Sequence, residues 1–287
     1  MKIADSIELL TSTVQQWREQ GLCIGFVPTM GNLHAGHIAL VKKAKLKCDK
    51  VVVSIFVNPL QFNEADDFAA YPITMEEDQE KLVNAQADLL FLPSSDAIYP
   101  CGQASISKVS VPVLSDMLEG ECRPGHFDGV ATVVNKLFNL VRPNIAFFGQ
   151  KDFQQLMVIQ KMVSDLCIPV QVVSVPTQRE KDGLAMSSRN SRLTPEQREQ
   201  AAHLHTVLMQ LASELQSSTE SVAELEQRAM LRLERAGFQP EYVSLRRVSN
   251  LQPVTHLERS SIILAAARLG DVRLIDNLIL NNSYPIL

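Results

Sequence analysis

The sequence predicts an α/β protein in which a parallel sheet is followed by a small α+β domain. Through the first 176 residues, short apolar runs rich in β-branched residues alternate with amphipathic helical patterns. Such alternation is typical of βαβ units and a parallel sheet. After Pro176 the pattern changes to helical stretches followed by strand-like runs. We therefore expect two domains, 1–176 and 177–287.

The elements of the first domain follow from hydrophobic periodicity. The candidate strands are the apolar runs Leu22–Val27, Lys50–Val57, Leu89–Leu92, Ile145–Phe148 and Val170–Val175. The candidate helices are Ile38–Leu46, Thr74–Ala85, Gly129–Val141 and Asp152–Leu166. Sheets of this kind bind ligands outside the carboxyl ends of their strands, so the segments after the strands are where a site is expected.

The second domain begins with a polar stretch, 177–192, and a helix-start signal. Thr194 is a good cap and Pro195 suits the first turn, so one long helix is predicted to about Leu215. A second helix is predicted over Ser218–Ala236, where Gly237 stops it. The remaining candidate strands are Tyr242–Val248, Ile262–Arg268 and Val272–Leu280.

Composition narrows the class of protein. The net charge of −5 over 287 residues argues against a general nucleic-acid binder, which usually carries a basic face. The five cysteines are scattered and form no Cys-x-x-Cys, as in proteins of reducing compartments. The N-terminus lacks the pattern of a secretion signal, and no apolar run approaches the roughly 20 residues that span a bilayer. We expect a soluble cytoplasmic protein with no membrane or nucleic-acid partner.

The most informative segment is PTMGNLHAGH at 28–37, between a predicted strand and a predicted helix. A helix N-terminus offers main-chain N–H groups and a partial positive charge to a phosphate, and glycines allow the main chain to approach a ligand. Such a turn suits a nucleotide triphosphate. A plain surface turn is an alternative, and so is zinc bound by His34 and His37. Zinc is the weaker of these interpretations because no further ligand lies nearby in sequence.

Two other strand ends carry polar side chains that suit a small substrate. Asn58 and Gln61 follow the second predicted strand, and their amides can bind hydroxyls and carboxylates without adding charge. After the strand that ends at Phe148 come Lys151, which can neutralise an anion, and Gln155. Asp152 can cap the next helix. Capped turns and a solvated lysine are the alternatives at these two strand ends.

Two loops complete the set of candidate segments. Residues 183–190 combine hydroxyls with a guanidinium, which suits a polyphosphate, and the charged residues 180–182 before them suggest a mobile lid. An ordinary surface linker is the alternative. In 123–129, Arg123 can reach an anionic substrate, while His126 serves equally well as a structural residue.

Together these segments resemble the pantoate–β-alanine ligase (pantothenate synthetase) family of the HIGH-motif nucleotidyltransferase superfamily. The resemblance rests on five motifs in the family's order: PTMGNLHAGH at 28–37, FVNPLQF at 56–62, RPGHFDGV at 123–130, FFGQKDFQQ at 147–155 and GLAMSSRNSRL at 183–193. It implies a Rossmann-like nucleotidyltransferase domain followed by a C-terminal α+β lid domain. It also implies ligation of pantoate and β-alanine through a pantoyl adenylate, with ATP as substrate, Mg²⁺ as cofactor and a homodimer as assembly.

The resemblance assigns roles to individual residues. His34 and His37 would stabilise the reacting α-phosphate, with Lys151 near the reacting groups. Gln61 would hold pantoate and border β-alanine. The remaining pantoate residues would be Gln155, Asn58 and Arg123. The ATP-binding residues would be Met30, Gly31, Asn32, Leu33, His34, Ala35, Gly36, His37, Gly149, Gln150, Lys151, Asp152, Gln178, Met186, Ser187, Ser188 and Arg189.

Two positions depart from the family's usual pattern. Gln150 stands where the family often has Glu or Lys, and Gln178 stands where an aliphatic residue is common. Gln150 would lie at the nucleotide edge and would alter affinity rather than reaction type, whereas a main-chain contact of Gln178 with adenine would survive the change. Two other functions stay open at this point: a different nucleotidyltransferase that transfers a nucleotide to a phosphate, and a non-catalytic nucleotide-binding regulator.

Overall fold

The computed structural model describes residues 1–63 and 68–281, and the chain divides into two compact units. The first unit comprises Met1–Gln150 and Gln155–Pro176. The second comprises Lys151–Gln154 and the chain from Thr177 onward. In the described part of the chain, no helix has both the length and the apolar character needed to cross a bilayer.

The first unit is built on a six-stranded sheet in which all the strand pairs are parallel. Its strands are β1 (Lys2–Ala4), β2 (Ile24–Thr29), β3 (Lys50–Ile55), β4 (Leu89–Phe91), β5 (Ile145–Gly149) and β6 (Gln171–Val175). They lie in the order β1-β4-β3-β2-β5-β6. The predicted α/β class is confirmed, and all five predicted strands are present. The three-residue β1 was not predicted because only its last residue, Ala4, is buried, so it shows no apolar run.

Seven helices whose bounds are described accompany this sheet, since parallel strands need crossover connections. They are α1 (Ile7–Glu19), α2 (Ala35–Lys45), α3 (Met75–Asn84), α4 (Ser95–Ile98), α5 (Glu119–Cys122), α6 (His126–Val141) and α7 (Phe153–Asp165). The four predicted helices are among them. Helix α6 begins three residues before the predicted start, because Gly125 takes a left-handed conformation, with φ of 81°, that turns the chain into the helix.

The strand order creates a switch point in this sheet. From β2 the chain proceeds through β3 and β4 on one side, and it later returns to β5 on the other side of β2. Ligands bind at such points in open α/β sheets. Because β3, β2 and β5 are parallel neighbours, the segments that follow them start at the same edge of the sheet.

The second unit packs helices on an antiparallel sheet. Its elements are α8 (Pro195–Ala201), α9 (His203–Ser217), α10 (Val222–Arg235), β7 (Gln239–Arg247), β8 (Ser260–Leu269) and β9 (Val272–Asn281), with strand order β7-β8-β9. The predicted cap at Thr194 is present, since its hydroxyl accepts from the Gln197 N–H at 3.3 Å. The prediction of one long helix from this cap to about Leu215 was wrong. The chain forms two helices that meet at Ala202, which caps one and starts the other.

Candidate active site

The turn after β2 needs a glycine and tolerates an asparagine. Gly31 and Asn32 both have positive φ, at 85° and 47°, and Asn is one of the few residues that adopt this conformation readily. A Cβ on Gly31 would lie 3.1 Å from Ile55 Cγ2 and 3.3 Å from Asp78 Oδ2. The turn is therefore packed closely against β3 and α3, and it delivers the chain into α2.

His34 and His37 sit at the start of α2, with ring centroids 4.1 Å apart. The Gly36 N–H donates to His34 Nδ1 at 3.1 Å, and the His34 N–H donates to His37 Nδ1 at 3.3 Å. A ring whose Nδ1 accepts a hydrogen bond is neutral and carries its proton on Nε2. The helix start therefore carries two neutral imidazoles whose N–H groups are on Nε2. This arrangement suits an anion.

A buried carboxylate fixes this turn from α3. Asp78 is 1% exposed, and its two oxygens accept the main-chain N–H groups of Asn32 at 2.8 Å and Leu33 at 2.7 Å. The Thr74 hydroxyl donates to the same carboxylate at 3.2 Å. The Lys81 ammonium donates to the Leu33 carbonyl at 2.9 Å. The sequence analysis did not identify Asp78. In the sequence it is one of several acidic residues in the first turn of a helix.

Asn58 and Gln61, which the sequence predicts as a pair, are in contact. Asn58 is 1% and Gln61 is 8% exposed. Asn58 Nδ2 donates to Gln61 Oε1 at 3.2 Å and to the Gly129 carbonyl at 3.1 Å. The Tyr99 hydroxyl donates to Asn58 Oδ1 at 2.7 Å, and burial raises the pKa of Tyr99, which keeps this donor protonated. Gln61 Nε2 lies 2.8 Å from Met30 Sδ, so the amide pair lies beside the turn at 30–37.

The main chain of Gln61 is held by the 123–129 segment. Arg123 Nη2 donates to the Gln61 carbonyl at 3.0 Å, and His126 Nδ1 lies 2.8 Å from the same oxygen. A Cβ on Gly129 would lie 2.3 Å from the Leu60 carbonyl, so only glycine lets α6 approach this closely. Arg123 and His126 therefore both contact the main chain of the substrate candidate Gln61.

Three further candidates lie at the end of β5 in the first unit. Gly149 is the last residue of the strand and pairs with Val175 of β6. The Gln150 amide donates to the Ser174 hydroxyl at 3.4 Å. Gln155 is half-buried in the first turn of α7. These residues follow the strand next to β2, at the edge of the sheet where the 30–37 turn begins.

The candidates Lys151 and Asp152 belong to the second unit. The Lys151 side chain is 18% exposed, and its Nζ lies 3.6 Å from Asp152 Oδ1. Asp152 directly precedes α7, the position predicted for a cap. The Lys151 carbonyl accepts from Asn277 Nδ2 at 2.9 Å, so β9 fixes the main chain at this lysine.

The predicted loop contains a short hairpin. Arg179 and Ala185 form an antiparallel bridge, and the Met186 N–H donates to the Gln178 carbonyl at 2.9 Å. The hairpin leads into Met186–Arg189, where the Ser187 hydroxyl accepts from the Arg189 N–H at 3.3 Å. Ser188 and Arg189 then start the 3₁₀ turn Ser188–Arg192.

The second unit brings two predicted segments to one small cavity. The residues lining it include Lys151, Ala185, Ser187, Asn190 and Asp276. The lysine after β5 and the serine of the loop therefore line the same cavity. Asp276 and Asn277 are functional candidates that the sequence analysis missed. The sequence signal that could have revealed them is that two adjacent polar residues interrupt the apolar strand pattern of β9.

Comparison with known proteins agrees with this geometry. The family model described as pantoate–β-alanine ligase matches residues 2–279. A pantothenate synthetase of Stutzerimonas stutzeri is 52% identical over 98% of both chains. One of Thioalkalivibrio sulfidiphilus is 53% identical over 94% of both.

Solved structures give the same result. The pantothenate synthetase of Thermus thermophilus superposes with a TM-score of 0.90 and 42% identity, covering 97% of this chain and 99% of its own. A pantoate–β-alanine ligase of Francisella tularensis, in complex with beta-gamma ATP and β-alanine, has a TM-score of 0.82 and 38% identity over 97% of both chains. The five motifs, the parallel sheet and these matches agree, and the chain belongs to the pantoate–β-alanine ligase family.

Proposed function

We propose that this chain joins pantoate to β-alanine with ATP as the energy source. In the first step a pantoate carboxylate oxygen bonds to the α-phosphorus, and pyrophosphate leaves. In the second step the amine of β-alanine attacks the acyl carbon, AMP leaves with the bonding electron pair, and the amine loses a proton. The carrying observation is that the buried Asn58–Gln61 amide pair contacts, at Met30, the turn that leads into the histidine pair at the start of α2.

ATP is proposed to bind through residues 30–37, Gly149, Gln150, Lys151, Asp152, Gln178 and 186–189. Adenylation needs charge stabilisation as pyrophosphate leaves, and the Nε2–H donors of His34 and His37 supply it without any change in their protonation. Lys151 and Arg189 add positive charge.

Pantoate is proposed to bind at the amide pair. Gln61 is supported by Asn58 and, at its carbonyl, by Arg123, so its side chain is held in one orientation. Gln155 would complete the pantoate contacts, and Gln61 would also border β-alanine. Neutral amides suit a hydroxy acid whose carboxylate must stay nucleophilic, because they bind it without neutralising its charge.

Mg²⁺ is proposed to accompany ATP. In residues 1–63 and 68–281, no three His, Cys, Asp or Glu side chains are grouped as a metal cage. We therefore propose an ion that is held mainly by phosphate oxygens and water, as Mg²⁺ commonly is. Bound in this way, the ion would neutralise phosphate charge. We also propose a cytoplasmic homodimer, with 1–176 as the catalytic domain and 177–287 as a lid domain that excludes water from the adenylate.

An AMP-release assay tests the reaction. The purified chain is incubated with MgATP, pantoate and β-alanine, and each is omitted in turn. We expect AMP release that needs all three, and pantoate-dependent ATP–pyrophosphate exchange without β-alanine. Transfer of the nucleotide to a phosphorylated acceptor would identify the adenylyltransferase alternative. ATP binding with no turnover would identify the regulator.

Two variants test whether adenylation and pantoate binding depend on different residues. His37→Ala should lower the exchange rate by on the order of 10²-fold, the scale for loss of one transition-state donor. Gln155→Ala should raise the KM for pantoate and leave ATP binding nearly intact. An unchanged exchange rate in the first variant, or equal weakening of both substrates in the second, would count against these roles.

A further inference from the structure

Strand β9 carries a charge where its pattern calls for an apolar residue. Its alternate residues Val272, Leu274, Leu278 and Leu280 are buried in the core of the second unit. Asp276 lies on the same face, because successive strand residues alternate between faces, and it is 3% exposed. A carboxylate buried in such a core destabilises the fold unless it is paired. Its partners therefore indicate its purpose.

The main partner of Asp276 is the hairpin that leads into the motif loop. Arg179 Nη1 donates to Asp276 Oδ2 at 2.7 Å, and Nη2 donates to Oδ1 at 2.9 Å. Arg179 Nη1 also donates to the Gly183 carbonyl at 3.0 Å, across the hairpin. A Cβ on Gly183 would lie 2.7 Å from His205 Cδ2, so the turn packs tightly on α9. The carboxylate thus fixes both the base and the turn of the hairpin.

The next residue of the strand holds Lys151. Asn277 is 4% exposed, and its side chain lies on the opposite face of β9 from Asp276. Its Nδ2 donates to the Lys151 carbonyl at 2.9 Å, and its own carbonyl accepts from Arg179 Nη2 at 3.2 Å. Asp276 and Asn277 therefore bind two segments that are distant in sequence, the hairpin and the chain at Lys151. Arg179 connects the two residues, because it donates to the Asp276 carboxylate and to the Asn277 carbonyl.

We propose that Asp276 and Asn277 are positioning residues for adenylation, holding Lys151 and the 178–186 hairpin as one preassembled group. This inference rests on the proposed function, in which Lys151 and 186–189 bind the triphosphate. Preassembly matters because an ill-placed charge stabilises the transition state poorly. Asn277 acts through Lys151, and Asp276 acts through Arg179.

A double-mutant cycle in the full-length protein tests the Asn277 arm. Asn277→Ala should lower the kcat of pantoate-dependent ATP–pyrophosphate exchange about tenfold, with the KM for pantoate unchanged. In a Lys151→Ala background the same substitution should have no further effect, since the group it positions is gone. A structural role would instead give independent, additive losses.

Hydrogen exchange tests the Asp276 arm without relying on activity. The Glu180 N–H donates to the Leu184 carbonyl at 2.8 Å, and the Met186 N–H closes the hairpin on Gln178. Asp276→Asn should speed exchange at both amides in the folded protein. Ser261→Ala is the control, because Ser261 is a fully buried polar residue of the adjacent strand β8 that bonds to Glu258. It should leave both amides and the exchange kcat unchanged.

The outcomes separate the two proposals. Wild-type protein without pantoate-dependent exchange would overturn the proposed function and this inference with it. Active wild-type protein would overturn the inference alone in either of two cases: if Asn277→Ala keeps full activity or adds its loss to that of Lys151→Ala, or if Asp276→Asn leaves the hairpin amides protected.

Discussion

Asp78 in the first unit and Asp276 in the second are both buried carboxylates that hold a motif-bearing segment, but they hold it with different partners. Asp78 accepts main-chain N–H groups from the turn itself, at Asn32 and Leu33. Asp276 binds the guanidinium of Arg179, which in turn holds the hairpin. One loop is fixed through its backbone and the other through a single side chain.

Because the partners of the two aspartates differ, the two loops are held by different kinds of group. Main-chain donors remain whatever side chains the turn carries, so the hold of Asp78 depends mainly on its own carboxylate. The hold of Asp276 on the hairpin requires two charged residues. Removing Asp276 takes away the only carboxylate that Arg179 is seen to bind in the described residues, and removing Arg179 leaves Asp276 with His205 at 3.5 Å and the Asn277 N–H at 2.7 Å. We expect the first unit to respond chiefly in reaction rate, since His34 directly follows the bonded residues. The second should respond in stability and in pH dependence.

The largest effect is expected from Asp78→Asn. The new amide keeps the size of the side chain but presents an N–H group to the Asn32 or Leu33 donor, which displaces the turn. Misplacement of His34 and His37 should lower pantoate-dependent ATP–pyrophosphate exchange on the order of 10²-fold. Asp88→Asn is a matched control, because Asp88 also accepts a main-chain N–H, from Val51 at 2.8 Å, away from the motif. Equal exchange rates in the two variants would contradict a special role for Asp78.

Asp276→Asn should give the next largest effect, and it should appear as instability. Loss of a charged hydrogen-bonding partner for Arg179 is expected to lower the free energy of unfolding by about 2 kcal/mol at neutral pH. Urea unfolding followed by circular dichroism measures this, and hydrogen exchange assigns it to β8 and β9. Glu220→Gln serves as control because it removes an exposed pair with Arg228 elsewhere in the second unit, which should matter much less.

The same variant should change the acid sensitivity of the protein. Burial raises the pKa of Asp276, but the contacts with His205 and Arg179 outweigh it and hold the pKa below the ordinary value of 3.8. Its stabilisation is therefore present above pH 3.8 and is lost as the pH falls through the depressed value in the folded state. The stability gap between wild type and Asp276→Asn should narrow over that acid range. A gap that stays constant would show that the charge of Asp276 is not what holds Arg179.

The two aspartates also differ in how far the sequence could reveal them. Asp276 interrupts an apolar strand pattern, and a polar residue in such a pattern is a readable anomaly. Asp78 follows Glu76 and Glu77 in the first turn of a helix, where acidic residues are ordinary. Its burial arises only because α3 packs against the turn after β2, a tertiary contact that no local pattern encodes. The turn itself could be predicted, because Gly31 and the histidines have strong local preferences.

The secondary structure was likewise predictable where the sequence signal is local and was missed where it depends on a tertiary contact. Apolar runs predicted β2 to β6, since the strands β2 to β5 are almost wholly buried and β6 carries a run of valines. The short β1 exists because it pairs with β4, and only its last residue is buried, so this non-local pairing leaves no apolar run in the sequence. Arg123 illustrates the limit at the site. Its substrate contact stays a prediction, and its bond to the Gln61 carbonyl left no signal in the sequence because it depends on how α6 approaches the 59–61 turn.

The smallest effect should come from Thr74→Val, and it tests whether the main-chain bonds are what hold the first turn. The Thr74 hydroxyl donates to Asp78 Oδ1 at 3.2 Å, and valine removes this bond while keeping the shape of the side chain. We expect a loss of about 1 kcal/mol in stability, with the exchange rate unchanged, because both N–H groups still bind the carboxylate.

Thr13→Val is the control, as Thr13 is a buried threonine of the same unit that bonds the Leu9 carbonyl. A rate loss in Thr74→Val that Thr13→Val does not share would mean that Asp78 holds the turn only when a side chain orients it. The two aspartates would then be alike in depending on one neighbouring residue.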